Sequence, residues 1–287
     1  MINFGTALFN GCGVYMLELL LLIYRGRFMS VPKLILSDLD HTLLRQDGSI
    51  SDYSLDVIRR CREKGILFAV ATARYWIGAE KYIGLLKPDY EITTDGTLIH
   101  SSDRLVYSCE FDTEDTNRII RDLLSEVPGA EITVASGKTV YWNSRHISES
   151  EKLFKAIYND YSEPVAVRAN KIVAELPDEG TARDIASRID CRLQCYRGEK
   201  WYAFVPKHSG KTEAIISLAK YIGINVSEMA AFGDDLNDME MLSMCGTGIA
   251  VANAIPEVIR TADSVTLSND EDGVAHWLED NILNKSV

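Results

Sequence analysis

The chain has 287 residues, 46% of them hydrophobic, and a formal net charge of −12. That length supports one large or two modest domains with packed cores, and an acidic chain lacking a concentrated basic surface excludes a broad nucleic-acid footprint. Six scattered cysteines, without zinc-site spacing or the density of a secreted disulfide module, point to a reducing, cytoplasmic setting.

Residues 1–28 are read apart from the rest. Met1 to Tyr24 is apolar apart from Glu18, carries several glycines and asparagines, and is followed by Arg25 and Arg27. It has the length to raise a membrane anchor, but no basic start or small-residue cleavage site of a secretory signal. It is taken as a dispensable extension ahead of a start at Met29, with membrane contact the less favoured alternative.

From Lys33 to Leu39 a continuous apolar run predicts a buried strand. From Asp52 to Lys64, Leu55, Ile58 and Cys61 recur at helical spacing before Gly65, which suits a helix C-terminus. "ILFAVAT", Ile66 to Thr72, is a second buried strand. Strand, helix, strand with continuously apolar strands implies a parallel sheet covered on both faces. Between residues 98 and 206 the texture changes. "RLVYSCEFD", "EITVASGKTVYWNS", "KIVAEL" and "KWYAFVPK" alternate and are rich in aromatics, as antiparallel strands are. Helices are expected over Asp115–Glu126, Glu149–Tyr158 and Thr181–Ile189. The first grammar then returns: a helix over Lys211–Ile222 stopped by Gly223, a strand in "MAAFGDD", a helix over Leu236–Cys245, and a strand in "GIAV". The fold class is therefore α/β: a Rossmann-like parallel-sheet core (29–97 and 207–287) interrupted by an inserted α+β cap domain (98–206).

Ligands bind outside the carboxyl ends of the strands in open parallel sheets. Asp38 and Asp40 follow the first strand, Thr72 and Arg74 the second, and "GDDLND" (Gly233 to Asp238) a later one; Lys211 opens a helix. Singly, each has a plain reading as a turn, a cap or a surface lysine. Their joint placement at one kind of strand-to-helix junction favours a site. Asp38, Asp40, Asp234 and Asp238 brought to one edge would repel without a cation, and a hard, oxygen-lined site that keeps waters suits magnesium. Such an ion can bridge to a phosphoryl oxygen, while the Thr72 hydroxyl and the Lys211 ammonium bind the others.

These four segments resemble, in order, the four motifs of the haloacid dehalogenase-like phosphohydrolases, and the long insertion resembles that of the Cof-type subgroup with an α/β cap. The resemblance runs from Met29 to the C-terminus, "NDEDGVAHWLE" included; "DLDHTLL" and "GDDLNDMEML" are specific, whereas "ATAR" and "SGKTEA" are weak alone. It implies a magnesium-dependent phosphatase acting on a small phosphorylated metabolite, a sugar phosphate or cofactor phosphate. Asp38 would be the nucleophile that forms an aspartyl-phosphate and Asp40 the acid and base. Asp38, the Asp40 carbonyl and Asp234 would hold the metal, with Asp238 in support. Thr72, Lys211 and Asn237 would bind phosphate or substrate. Three departures from the family pattern bear on loop shape and substrate choice: His41 and Ala73 stand where glycine is usual, and "TDG" (Thr94 to Gly96) where "NDG" or "NG" is commoner.

Other readings are weaker. "SGKT" at Ser209 to Thr212 lacks the glycine of a P-loop, Val205 standing in its place, and "GTGIAV" precedes a strand instead of joining strand to helix. A phosphomutase on the same fold and a non-catalytic phosphometabolite-binding protein are the alternatives. Tyr141, Trp142, Arg145, Arg197 and Trp201 are cap residues available for specificity.

Overall fold

The computed structural model describes residues 31–144, 155–196 and 198–284. The amino-terminal extension, Arg145 and Arg197 lie outside them. The chain runs β1 (Leu34–Ser37), α1 (Asp52–Glu63), β2 (Leu67–Ala71), α2 (Trp76–Leu86) and β3 (Tyr90–Thr93), then the hairpin β4 (Leu98–Ser101) and β5 (Arg104–Ser108). Next come α3 (Thr113–Glu126), β6 (Ile132–Ser136), β7 (Thr139–Trp142), β8 (Ile157–Tyr158), β9 (Lys171–Glu175), α4 (Glu179–Ser187), β10 (Cys191–Cys195) and β11 (Trp201–Pro206). It closes with α5 (Lys211–Ile222), β12 (Met229–Gly233), α6 (Met239–Met244), β13 (Thr247–Ala250), α7 (Pro256–Thr261), β14 (Ser264–Val265) and α8 (Gly273–Leu278).

The larger sheet has the order β14-β13-β12-β1-β2-β3-β4-β5. Pairing is parallel from β14 to β3 and antiparallel beyond. Strand β1 lies between β2 and β12, where the winding reverses direction and a crevice opens at the strand ends. Leu34, Ile35 and Leu36 are wholly buried, because helices cover both faces; that removes the alternation a half-exposed strand would show. Helix α1 begins where the Ser51 side chain accepts the Ser54 amide at 2.9 Å, and it buries Val57, Ile58 and Cys61.

The smaller sheet, β10-β11-β9-β6-β7-β8, is antiparallel except for the β7–β8 pair. It has a separate apolar core, centred on Ile119, Leu123, Ile132, Val134 and Phe204, against which α3 and α4 pack. Two readings are corrected. The strands from Leu98 to Ser108 extend the larger sheet, so the insertion's sheet begins after them; their aromatic, alternating texture reflects antiparallel pairing at a sheet edge. Ile157 and Tyr158 pair with β7, so no helix reaches Tyr158; the rest of that expected helix, through residue 154, lies outside the described residues. No helix among the described residues is long and apolar enough to cross a membrane.

Candidate active site

Asp38 follows β1 directly and is buried. Its amide donates to the Phe232 carbonyl at 3.1 Å, which ties the end of β1 to the end of β12. That tie brings the first and last motifs together across a long sequence separation. Carboxylate oxygens of Asp38, Asp234 and Asp238 lie within 4.8 Å of one another. The Lys211 ammonium, on the first residue of α5, donates to Asp38 Oδ1 and to Asp238 Oδ1, each at 2.6 Å. Asp238 is wholly buried, and its second oxygen accepts the amides of Asp234 at 3.1 Å and Asp235 at 3.3 Å. This approach requires glycine at 233: a Cβ there would lie 2.4 Å from the Cβ of Asp238.

Three buried carboxylates therefore face one ammonium. Burial pushes the Asp38 carboxyl well above the ordinary carboxylate range, Lys211 opposing and Asp238 and Asp234 reinforcing. Burial also pushes Asp234 up to about 6, against the hydrogen bond from Thr42. For Lys211 burial penalises the charge, but Asp238 and Asp38 more than offset it and hold the ammonium above its usual range. An excess of buried, oxygen-only anionic donors fits a hard divalent cation.

Asp40 differs from the expectation that it joins this cluster. Its carboxylate turns away to Arg74, which binds both oxygens, Nε to Oδ2 at 2.7 Å and Nη2 to Oδ1 at 2.5 Å. A bidentate fork fixes the plane of a carboxylate as well as its charge. His41, the next residue, adopts φ +56, so the position does need the freedom that glycine offers. Its carbonyl accepts from Asn253 Nδ2 at 2.7 Å.

Thr72 is buried at the end of β2, and its hydroxyl oxygen accepts the Arg74 amide at 3.1 Å. Asn237 is exposed and lines a cavity of ≈ 370 Å³ together with Asp95, Lys211 and Thr212; among the described residues its side chain makes no hydrogen bond to the carboxylate cluster. Two functional contacts were not read from the sequence. Thr42 Oγ1 donates to Asp234 Oδ1 at 2.8 Å, and Arg74 holds Asp40. The threonine two places after Asp40 and the arginine two places after Thr72 were visible, but which carboxylate each would reach depends on loop closure.

A family model described as haloacid dehalogenase-like hydrolase matches residues 35–278. The chain belongs to that family. Phosphatase YwpJ of Bacillus subtilis is 27% identical over 86% of this chain and 99% of its own length. The 5-amino-6-(5-phospho-D-ribitylamino)uracil phosphatase YitU of the same organism is 23% identical over 87% of this chain and 97% of its own. Among solved structures, the subclass IIB sugar phosphatase BT4131 superposes with a TM-score of 0.73 at 19% identity, covering 87% of this chain and 98% of that one. This haloacid dehalogenase-like hydrolase is a phosphatase of the Cof type.

Proposed function

We propose that the protein hydrolyses small phosphate monoesters through an aspartyl-phosphate on Asp38, with the smaller sheet acting as a cap over the leaving group. The observation that carries this reading is the buried set of Asp38, Asp234 and Asp238 around Lys211, beside a separately held Asp40. Asp38, the Asp40 carbonyl and Asp234 would hold magnesium, with Asp238 fixing the loop behind them. When bound, the ion offsets the carboxylates' mutual repulsion and stabilises charge on the phosphoryl oxygens.

An Asp38 oxygen attacks phosphorus as the bond to the ester oxygen breaks, and Asp40 in its protonated form gives its proton to the departing alkoxide. Asp40, now ionised, takes a proton from a water that attacks the same phosphorus, which frees Asp38 and releases phosphate. Lys211 and the Thr72 hydroxyl bind the non-bridging oxygens, where negative charge builds in the transition state. Arg74 holds the ionised Asp40 carboxylate in one plane for the second step, in which it takes the proton from water; in the acid form Asp40 keeps Arg74 on one oxygen and carries the proton on the other.

A panel of phosphate monoesters tests the reading by release of inorganic phosphate. We expect release that depends on magnesium and falls about 10⁴-fold or more in Asp38→Asn, the range seen when a nucleophile is removed, with an unchanged circular dichroism spectrum. Turnover at the parent rate in that variant, or full activity in excess chelator, overturns it. A phosphomutase on the same site would instead yield an isomerised phosphate ester without free phosphate.

A further inference from the structure

A buried contact between the two sheets separates two cavities. Asp95, 3% exposed, sits in the turn after β3 with φ +57. The turn is wedged against the entry to α5: a Cβ at Gly96 would come within 2.2 Å of the Gly210 carbonyl. Three side chains of the smaller sheet converge on the Asp95 carboxylate. Gln194 Nε2 donates at 2.8 Å, the Tyr196 hydroxyl at 3.4 Å, and Lys171 forms an ion pair with it. Lys171 is itself buried and also donates to the Ala73 carbonyl at 3.2 Å, in the loop between Thr72 and Arg74.

Lys171 borders the larger cavity, ≈ 740 Å³, which runs from Asp40 and Arg74 up to the aromatic side chains Trp142, Tyr196 and Trp201. Among the described residues, the cavity's only lysine and arginine are Lys171 and Arg74, against the acidic Asp40, Glu199 and Asp235. Arg74 is engaged by both oxygens of Asp40, and Lys171 by Asp95. Once the phosphoryl group sits at Lys211 and Thr72, the described lining of the remaining cavity has no lysine or arginine that is not already engaged by a carboxylate. A second anion there would have to shed its hydration and meet net negative charge, whereas an uncharged ring or chain would gain contact with the aromatic walls.

We infer that Asp95 is a specificity determinant: by neutralising Lys171 it restricts this site to monoesters with an uncharged leaving group bearing an apolar or planar face, and it disfavours leaving groups with a carboxylate or second phosphate. This rests on the proposed phosphatase reading. It gives the "TDG" turn, which departs from the family pattern, a role in substrate choice.

The test compares 4-carboxyphenyl phosphate with its methyl ester, a pair of similar shape that differs by one charge, by phosphate release with magnesium. The ratio of the two kcat/KM values cancels general damage to the fold, and comparing variant with parent cancels the difference in intrinsic reactivity. The parent is expected to favour the methyl ester, and Asp95→Asn, which leaves Lys171 uncompensated, to shift the ratio about tenfold toward the carboxylate, the scale of one charge interaction in a partly screened cleft. Asp95→Asn/Lys171→Met is expected to restore the parent ratio. Equal loss on both substrates in Asp95→Asn overturns the inference and leaves Asp95 a purely structural residue. Should Asp95→Asn fail to fold, Lys171→Met decides: its preference for the methyl ester must exceed the parent's, and an unchanged ratio overturns the inference. Failure of the parent to release phosphate from these esters and from every monoester in the wider panel removes the phosphatase reading itself.

Discussion

The two walls of the cleft handle charge in opposite ways. On the wall built by the larger sheet, Asp38, Asp234 and Asp238 crowd around Lys211 at the ends of parallel strands, an excess of carboxylates that a bound cation would offset. In the larger cavity beside it each described lysine and arginine is matched, Arg74 by Asp40 and Lys171 by Asp95, and the smaller sheet's side carries the aromatic rings of Trp142, Tyr196 and Trp201. The difference separates two tasks. A reaction centre gains from an unbalanced, preorganised field aimed at the reacting atoms, whereas a leaving-group pocket selects by what it leaves unpaired.

The comparison breaks most visibly at Lys211. Replacing it by methionine strands Asp38 and Asp238 without their shared ammonium, and loss of one partner of a buried ion set costs about 3–5 kcal/mol. A fall in Tm beyond that of any substitution on the aromatic wall is expected by calorimetry, partly recovered by added magnesium. A stability equal to the parent's would mean that the carboxylate cluster is not dependent on its ammonium.

A smaller effect falls on the seam between the walls. Arg74→Ala should leave the fold intact yet lower kcat by about 10²-fold, the order expected when an acid group loses its orientation. The double variant Asp40→Asn/Arg74→Ala should then be no worse than Asp40→Asn alone, because both substitutions disable one proton transfer. Full additivity in steady-state kinetics would show that Arg74 acts elsewhere.

His41→Gly sharpens the reaction-centre side. It relieves a left-handed backbone position, and after the extra chain entropy of glycine the expected gain is about 0.5–1 kcal/mol, read as a small rise in Tm. A drop in Tm would show that the imidazole contributes more than its backbone conformation costs.

The smallest effect is expected at Glu91, buried on β3 with its carboxylate accepting from Trp76 Nε1 at 2.8 Å. Burial raises its pKa, with Trp76 and then Lys138 opposing. A raised carboxyl pKa means that the folded state keeps the proton longer than the unfolded one, so its contribution to stability is present at low pH and is lost as pH rises from about 4 through the folded value. Glu91→Gln keeps an acceptor for Trp76 and removes the charge. Melting curves of parent and variant should therefore converge in acid and separate toward neutrality, with the variant the more stable; parallel curves across that range would refute the assignment.

Local patterning carried much of the fold. The continuous apolar runs before Asp38 and Asp234 were legible as buried parallel strands because covered strands have no polar face. Helix α5 was legible to both ends, Lys211 at its start and Gly223 with φ +71 after it. The segment between Ala73 and Leu98 shows the limit: α2 and β3 were not foreseen there, and the β4–β5 hairpin was assigned to the wrong sheet. A hairpin's residues alternate in the same way whichever sheet they join, since pairing partners are chosen by tertiary contact.

By itself the amino-acid sequence determined which groups this haloacid dehalogenase-like hydrolase has available and that Asp38, Asp40, Thr72, Lys211 and Asp234 fall at strand-to-helix junctions, because side-chain periodicity and turn chemistry act over a few residues. Only the tertiary structure decided that Lys211 is shared between Asp38 and Asp238, that Asp40 pairs with Arg74, and that Lys171 of the smaller sheet pairs with Asp95. Each of those pairings joins residues distant in the chain whose charges interact only once burial has removed the water between them.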